Sequence, residues 1–108
     1  MSKAVYVVYS RPSAPEREAD FNDWYDHTHL GEVCAVPGVT GARRFRLAGD
    51  GPGGSGGLPE YLALYEIDAD DPAESVAAIG KGVANGTIKM TDAIQLDPLP
   101  VTLLYEEL

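Results

Sequence analysis

Three short segments of this 108-residue chain are apolar on both of their faces, and that property constrains its fold more than any other. Successive side chains of a strand point to opposite sides of the sheet. In residues 5–9, Tyr6 and Val8 point one way and Val5, Val7 and Tyr9 the other. Tyr61, Ala63, Tyr65 and Ile67 likewise oppose Leu62 and Leu64, and Val101, Leu103 and Tyr105 oppose Thr102 and Leu104. Strands of this kind belong to a sheet covered on both sides.

The segments between them supply cover for only one side. Ser13-Ala14-Pro15-Glu16 has the pattern of a capping box, with Ser13 as cap and proline in the first turn. Glu16, Glu18 and Asp20 suit the positive end of a helix dipole. A helix is expected over residues 14–29, with Phe21, Trp24, Tyr25 and Thr28 on one face at about 100° per residue. Leu30 falls opposite Phe21 and Gly31 follows, which predicts a break or kink and then a short helical turn through Val33 and Ala35. Val36-Pro37-Gly38 is a turn, and residues 39–47 read as a strand. Residues 48–59 hold six of the twelve glycines and read as a flexible hairpin tip. A third strand spans residues 61–67. Asp71-Pro72 opens a second helix over residues 73–84, weakened by Gly80 and Gly82. Residues 85–100 have no period, and residues 101–105 form the last strand.

The order βαββαβ is the ferredoxin-like α+β arrangement: one domain over residues 1–108, a four-stranded antiparallel sheet with two helices on one face. The other face needs a partner. A second copy of the same sheet, packed face to face in a homodimer, is the economical cover. The alternative is a monomer in which residues 85–100 fold over that face.

Seventeen acidic residues against eight basic ones give a net charge of −9. This argues against nucleic acid and anionic membranes as partners, since both need a basic footprint. No apolar run approaches the ~20 residues that span a bilayer. Cys34 is the one cysteine, so an internal disulfide and a multi-cysteine zinc site are excluded. With no export signal, a reducing cytoplasm is the expected location.

The run Phe21-Asn22-Asp23-Trp24-Tyr25-Asp26-His27-Thr28-His29-Leu30, then Val36-Pro37-Gly38 and Ala42-Arg43-Arg44-Phe45, resembles the EthD-like branch of the dimeric α+β barrel superfamily. The shared pattern is F-N-x-W-Y-D-x-x-H, then V-P-G, then an arginine-aromatic strand. The resemblance covers most of residues 4–67 and implies the dimeric barrel fold and a pocket between the first helix and the sheet. Similar sequences often carry proline soon after the motif histidine; Leu30-Gly31 stands there in this chain, so the helix end is expected to differ. Members include isomerases, cyclases, decarboxylases, dehydratases, cofactor-free monooxygenases and haem-binding enzymes, so the resemblance names a fold and not a reaction.

Asn22, Tyr25, Asp26 and His29 fall in one sector of the first helix, and residues three or four apart can touch. A carboxylate beside an imidazole sets its tautomer and raises its basicity. The expected catalytic pair is therefore His29, moving a proton, and Asp26, orienting it. A buried His29 paired with Asp26 for stability is the competing reading. Asn22, Trp24, Tyr25, Tyr6 and Tyr65 are expected to bind substrate, although the aromatic rings suit a core or an interface equally well. Arg43 shares a face with Val39, Phe45 and Leu47 by strict alternation; a salt bridge to one of the many acidic residues is the plainer reading, and holding a substrate carboxylate or phenolate the other.

His27 projects towards Asp23 and reads as a surface residue. His27 and His29 diverge by about 200° on a helix, so they cannot share a metal ion. Cys34, five residues after His29, reads as a core residue. Residues 51–56 match G-x-G-x-x-G, but no helix follows to receive a phosphate. The expected function is cofactor-free acid–base chemistry on an oxygenated apolar small molecule: isomerisation, cyclisation, dehydration or decarboxylation. A binding module without turnover is the alternative, and a haem-linked activity a more distant one.

Overall fold

The computed structural model describes residues 2–49 and 56–108. Four strands form one antiparallel sheet: β1 (Ser2–Ser10), β2 (Val39–Arg46), β3 (Tyr61–Ala69) and β4 (Val101–Glu106), in the order β2-β3-β1-β4. The ferredoxin-like architecture is as expected. Of the glycine-rich stretch, residues 50–55 lie outside the described residues, and so does most of the G-x-G-x-x-G match. The strands that flank it pair as a hairpin, closed by the Leu47 amide donating to the Glu60 carbonyl at 2.8 Å.

The helix layer begins with a single 3-10 turn at Pro15–Arg17 and continues as α1 (Glu18–Trp24). Ser13 does not cap it: Ala14 holds the cap position, without a side-chain bond, and the Ser13 amide donates to Ala93. Of the break or kink expected at Leu30, there is no break, and the irregularity falls just before it. The helix widens into a π turn at Tyr25–His29 and runs on as α2 (Leu30–Cys34). Adding one residue to a turn realigns the apolar stripe, so Val33 is buried with Phe21, Trp24 and Tyr25. The second helix, α3 (Pro72–Asn85), starts where Asp71 and Pro72 place it. The Asp71 carboxylate accepts from the Ala73 amide at 3.1 Å, and Gly86 ends the helix in the left-handed region.

Register sorts the sheet into two faces. Tyr6 pairs with Tyr65 and Leu104, and Val8 with Ala63 and Thr102; these side chains face the helices. Val5, Val7, Tyr9, Leu62, Leu64, Val101, Leu103 and Tyr105 face the opposite way, where no helix lies among the described residues. Phe45, Leu103 and Tyr105 are left 44%, 41% and 53% exposed there. Residues 86–100 do not cover this face. Ile88 packs on Gly82, the Lys89 carbonyl accepts from Trp24 Nε1 at 3.1 Å, and the Lys89 amide donates to Glu32 at 2.8 Å. The aperiodic segment is thus strapped to the helix side.

One glycine is required by its surroundings. Gly38, at φ 94°, sits where an added Cβ would strike Ser75 Oγ and lie 3.1 Å from Ala69 Cβ. Ser75 Oγ is held there by donating to the Pro37 carbonyl at 3.0 Å. Gly38→Ala is expected to cost about 2–4 kcal/mol, combining left-handed strain with overpacking. Gly86→Ala, at φ 83° with open space around it, should cost only about 1–2 kcal/mol. Urea denaturation of the two variants checks the contrast.

Candidate functional site

A cavity of about 270 Å³ lies between the helix layer and the sheet. Tyr6, Val8, Tyr65 and Thr102 come from the sheet, Trp24, Tyr25, His29 and Val33 from the first helix, and Ile79 and Val83 from α3. Met90, Ile94, Leu96, Leu99 and Pro100, from the strapped segment, complete the wall. A larger hollow of about 580 Å³ opens at the end of the sheet around Lys3, Glu66, Asp68 and Glu106. Among the described residues, Tyr105 is the one aromatic residue of its lining and it holds no imidazole, so the smaller cavity is the candidate site.

His29 owes its position to the π turn. Such a turn closes from residue i to i+5, so residues five apart come into line and residues three apart swing away from each other. Trp24 accordingly stacks on His29, with centroids 4.3 Å apart and planes at 24°. Tyr25 meets the same imidazole edge-on at 5.2 Å. The ring is buried, 9% exposed, and its Nδ1 is enclosed with no hydrogen-bond partner among the described residues. That leaves Nε2 as the nitrogen a ligand in the cavity can reach. Burial disfavours the imidazolium and lowers the pKa from 6.5 to about 4, against a smaller opposing pull from Glu32. At neutral pH His29 is therefore uncharged.

Beside it, the Tyr25 hydroxyl interacts with those of Ser10 and Tyr65. Ser10 Oγ and Tyr65 Oη still lack a well-aligned bond among the described residues. Burial pushes both tyrosine pKa values up, so these phenols stay protonated.

Asp26 is not the partner of His29. Its carboxylate accepts from Arg44 Nη1 at 2.9 Å, while Arg44 Nη2 donates to Asn22 Oδ1 at 2.8 Å. The guanidinium lies 4.4 Å from the Tyr25 ring centroid, 5.4 Å from that of Tyr61 and 5.5 Å from that of Phe21. Tyr61 in turn donates to Glu18 at 2.8 Å. Four residues of the F-N-x-W-Y-D-x-x-H motif thus grip one arginine and pin the helix to the sheet. Asn22 and Asp26 serve this grip and do not line the cavity.

Arg43 is also displaced from its expected role. A bulge between Val39 and Gly41 shifts the register, so Val39 faces the helices with Ile67 whereas Arg43 pairs with Leu64 on the open face. Its side chain is 63% exposed, near Glu66 at 3.5 Å and over the Phe45 ring. Arg44 takes the inward position instead. Gly41 was the available signal, since a glycine inside a strand pattern often marks a bulge. Of the expected substrate-binding residues, Trp24, Tyr25, Tyr6 and Tyr65 line the cavity together with His29. The contributions of Met90, Ile94, Leu96 and Leu99 carry no periodic signal. His27 lies at the surface, 3.6 Å from Asp23, and Cys34 packs half-buried against the core.

No protein-family model matches the chain, and no curated protein matches it. Its fold is similar to that in the crystal structure, at 1.40 Å resolution, of an ethyl tert-butyl ether d (ethd) family protein from Bacillus halodurans C-125. The likeness covers 100% of both chains with a TM-score of 0.61 at 22% identity.

Proposed function

The chain has an EthD-like fold, and from that premise we propose a cofactor-independent enzyme that performs acid–base chemistry on an oxygenated apolar small molecule. The observation that carries this reading is the uncharged His29 imidazole in the cavity wall, with Nδ1 sealed off. A ligand carbonyl packed against Trp24 and Tyr6 would bring its α-carbon to Nε2. Nε2 accepts the α proton, the C–H electron pair passes towards the carbonyl oxygen, and the reverse step returns a proton to carbon. Its low pKa makes the imidazole a weaker base than one poised near neutrality, so it holds that proton only while a negative oxygen lies beside it. Asp26 has no part in the step, because Arg44 holds it.

Exchange at a ketone α-carbon tests the reading. The wild-type protein should accelerate deuterium uptake by α-tetralone in D2O, followed by NMR. His29→Gln should remove that acceleration by about 10²-fold or more, the usual contribution of a positioned acid or base. Binding without acceleration in the wild type would make the chain a binding module, the alternative supported by the same cavity.

We further propose a homodimer packed through the open sheet faces, and residence in the reducing cytoplasm, which the lone thiol favours. The exposed Phe45, Leu103 and Tyr105 beside Val7 and Leu64 support the dimer: such a contiguous apolar face is costly to leave in water. Leu103→Arg, on the edge strand β4 beside Val7, should convert a species of twice the chain mass into a monomer. Sedimentation at low micromolar concentration reads the result directly; a wild-type monomer would sink the proposal.

A further inference from the structure

We infer that the cavity selects uncharged ligands carrying one hydrogen-bond-accepting oxygen on an apolar frame, and rejects carboxylates of the same shape. This rests on reading the cavity as a ligand site. Among the described residues its walls contain no lysine, arginine, aspartate or glutamate. Their polar side-chain groups are an imidazole, the hydroxyls of Tyr6, Tyr25, Tyr65 and Thr102, and the Trp24 indole, whose N–H is spent on the Lys89 carbonyl. The arginine nearest the cavity's floor is committed elsewhere: Arg44 is held by Asp26 and Asn22 behind the Tyr25 ring. Arg43 is on the far side of the sheet.

A carboxylate entering this space would lose its hydration and find no cation. His29 could supply one only by taking up a proton. With a pKa of about 4, it carries that proton in about one molecule per thousand at pH 7. The net charge of −9 adds a repulsive field at the approach. A neutral carbonyl meets none of these penalties and can accept from a hydroxyl of the wall. The volume of about 270 Å³ is at the small end of ligand pockets, and fits a one- or two-ring molecule.

Calorimetry at pH 7 with three probes of one shape tests the inference: α-tetralone, tetralin and 1,2,3,4-tetrahydro-1-naphthoate. The ketone is expected to bind about three- to tenfold more tightly than tetralin, the worth of one neutral hydrogen bond. The carboxylate should bind more than about a hundredfold more weakly than the ketone. Val83→Trp, at the cavity's partly exposed rim, should abolish ketone binding by blocking entry. Carboxylate binding equal to that of the ketone would overturn charge exclusion while leaving the cavity a ligand site. Equal binding of tetralin and ketone would overturn the role assigned to the oxygen. If no probe binds, or if Val83→Trp leaves binding intact, the cavity is not the ligand site and the functional reading falls with it.

Discussion

Lowering the pH from 7 to 4 is expected to destabilise the wild-type protein by about 3 kcal/mol more than a His29→Gln variant. The cause is the buried imidazole. In the unfolded chain His29 takes up a proton at its ordinary value of 6.5, but in the folded protein only near pH 4. Between those values the unfolded state binds more protons, so stability falls as pH falls. The contribution is fully present above pH 6.5 and is lost by the time the pH has passed below about 4. At about 1.4 kcal/mol per pH unit, that interval corresponds to about 3 kcal/mol. Carboxylates titrate over part of the same range in both proteins, so the difference between the two pH profiles is what isolates His29. Urea denaturation at pH 7.5, 5.5 and 4 gives those profiles. Parallel profiles would mean that the imidazole is solvated, and the proposed proton transfer in a dry cavity would lose its basis. Trp24 offers a second readout, since it is the single tryptophan and stacks on His29. Its emission should change with a midpoint near pH 4, and His29→Gln should abolish that change.

Arg44→Ala should cost about 2–4 kcal/mol, which is large for a residue that touches no cavity wall except through Tyr25. The substitution removes two charge-assisted bonds, to Asp26 and Asn22, and a cation placed over the Tyr25 ring. Asp26 is half exposed and regains water, so the loss is smaller than for a fully buried pair. Lysine cannot reproduce the planar fork that reaches both partners at once, so Arg44→Lys should recover less than half of the loss. Denaturation midpoints for the two variants and for Asp26→Asn check this ordering, with Asp26→Asn the mildest. A change of less than 0.5 kcal/mol in Arg44→Ala, the scatter of ordinary surface substitutions (about ±0.5 kcal/mol), would show that the motif does not serve to pin the helix.

These two residues also mark where reading the chain alone succeeds and where it stops. The regular helix period places His29 beside the apolar face of Phe21, Trp24 and Tyr25; in the structure the π turn carries it further in, and it is buried where Thr28 is not. That Asp26 orients it followed from assuming a regular helix; the π turn breaks the assumption, and no local preference announces such a turn. Counting alternate residues puts Arg43 on the same face as Val39. The bulge at residues 39–41 reverses the count and delivers Arg44 instead. Residues 85–100 offered no pattern, yet Ile88, Ala93 and Ile94 are among the most buried residues of the chain.

By itself, the sequence settles what depends on neighbours a few residues apart. The order of strands and helices, the two apolar sheet faces, the cap at Asp71 and the apolar stripe of the first helix all rest on short-range periodicity. The tertiary structure alone decides which distant groups meet: Arg44 with Asp26 and Asn22, Trp24 with the Lys89 carbonyl, and His29 with a cavity instead of a carboxylate. A one-residue insertion in a strand or a helical turn redirects every side chain beyond it, because periods of two and of 3.6 carry no memory of absolute orientation. Such an insertion is settled by packing against elements far away in the chain, and only the folded arrangement contains that information.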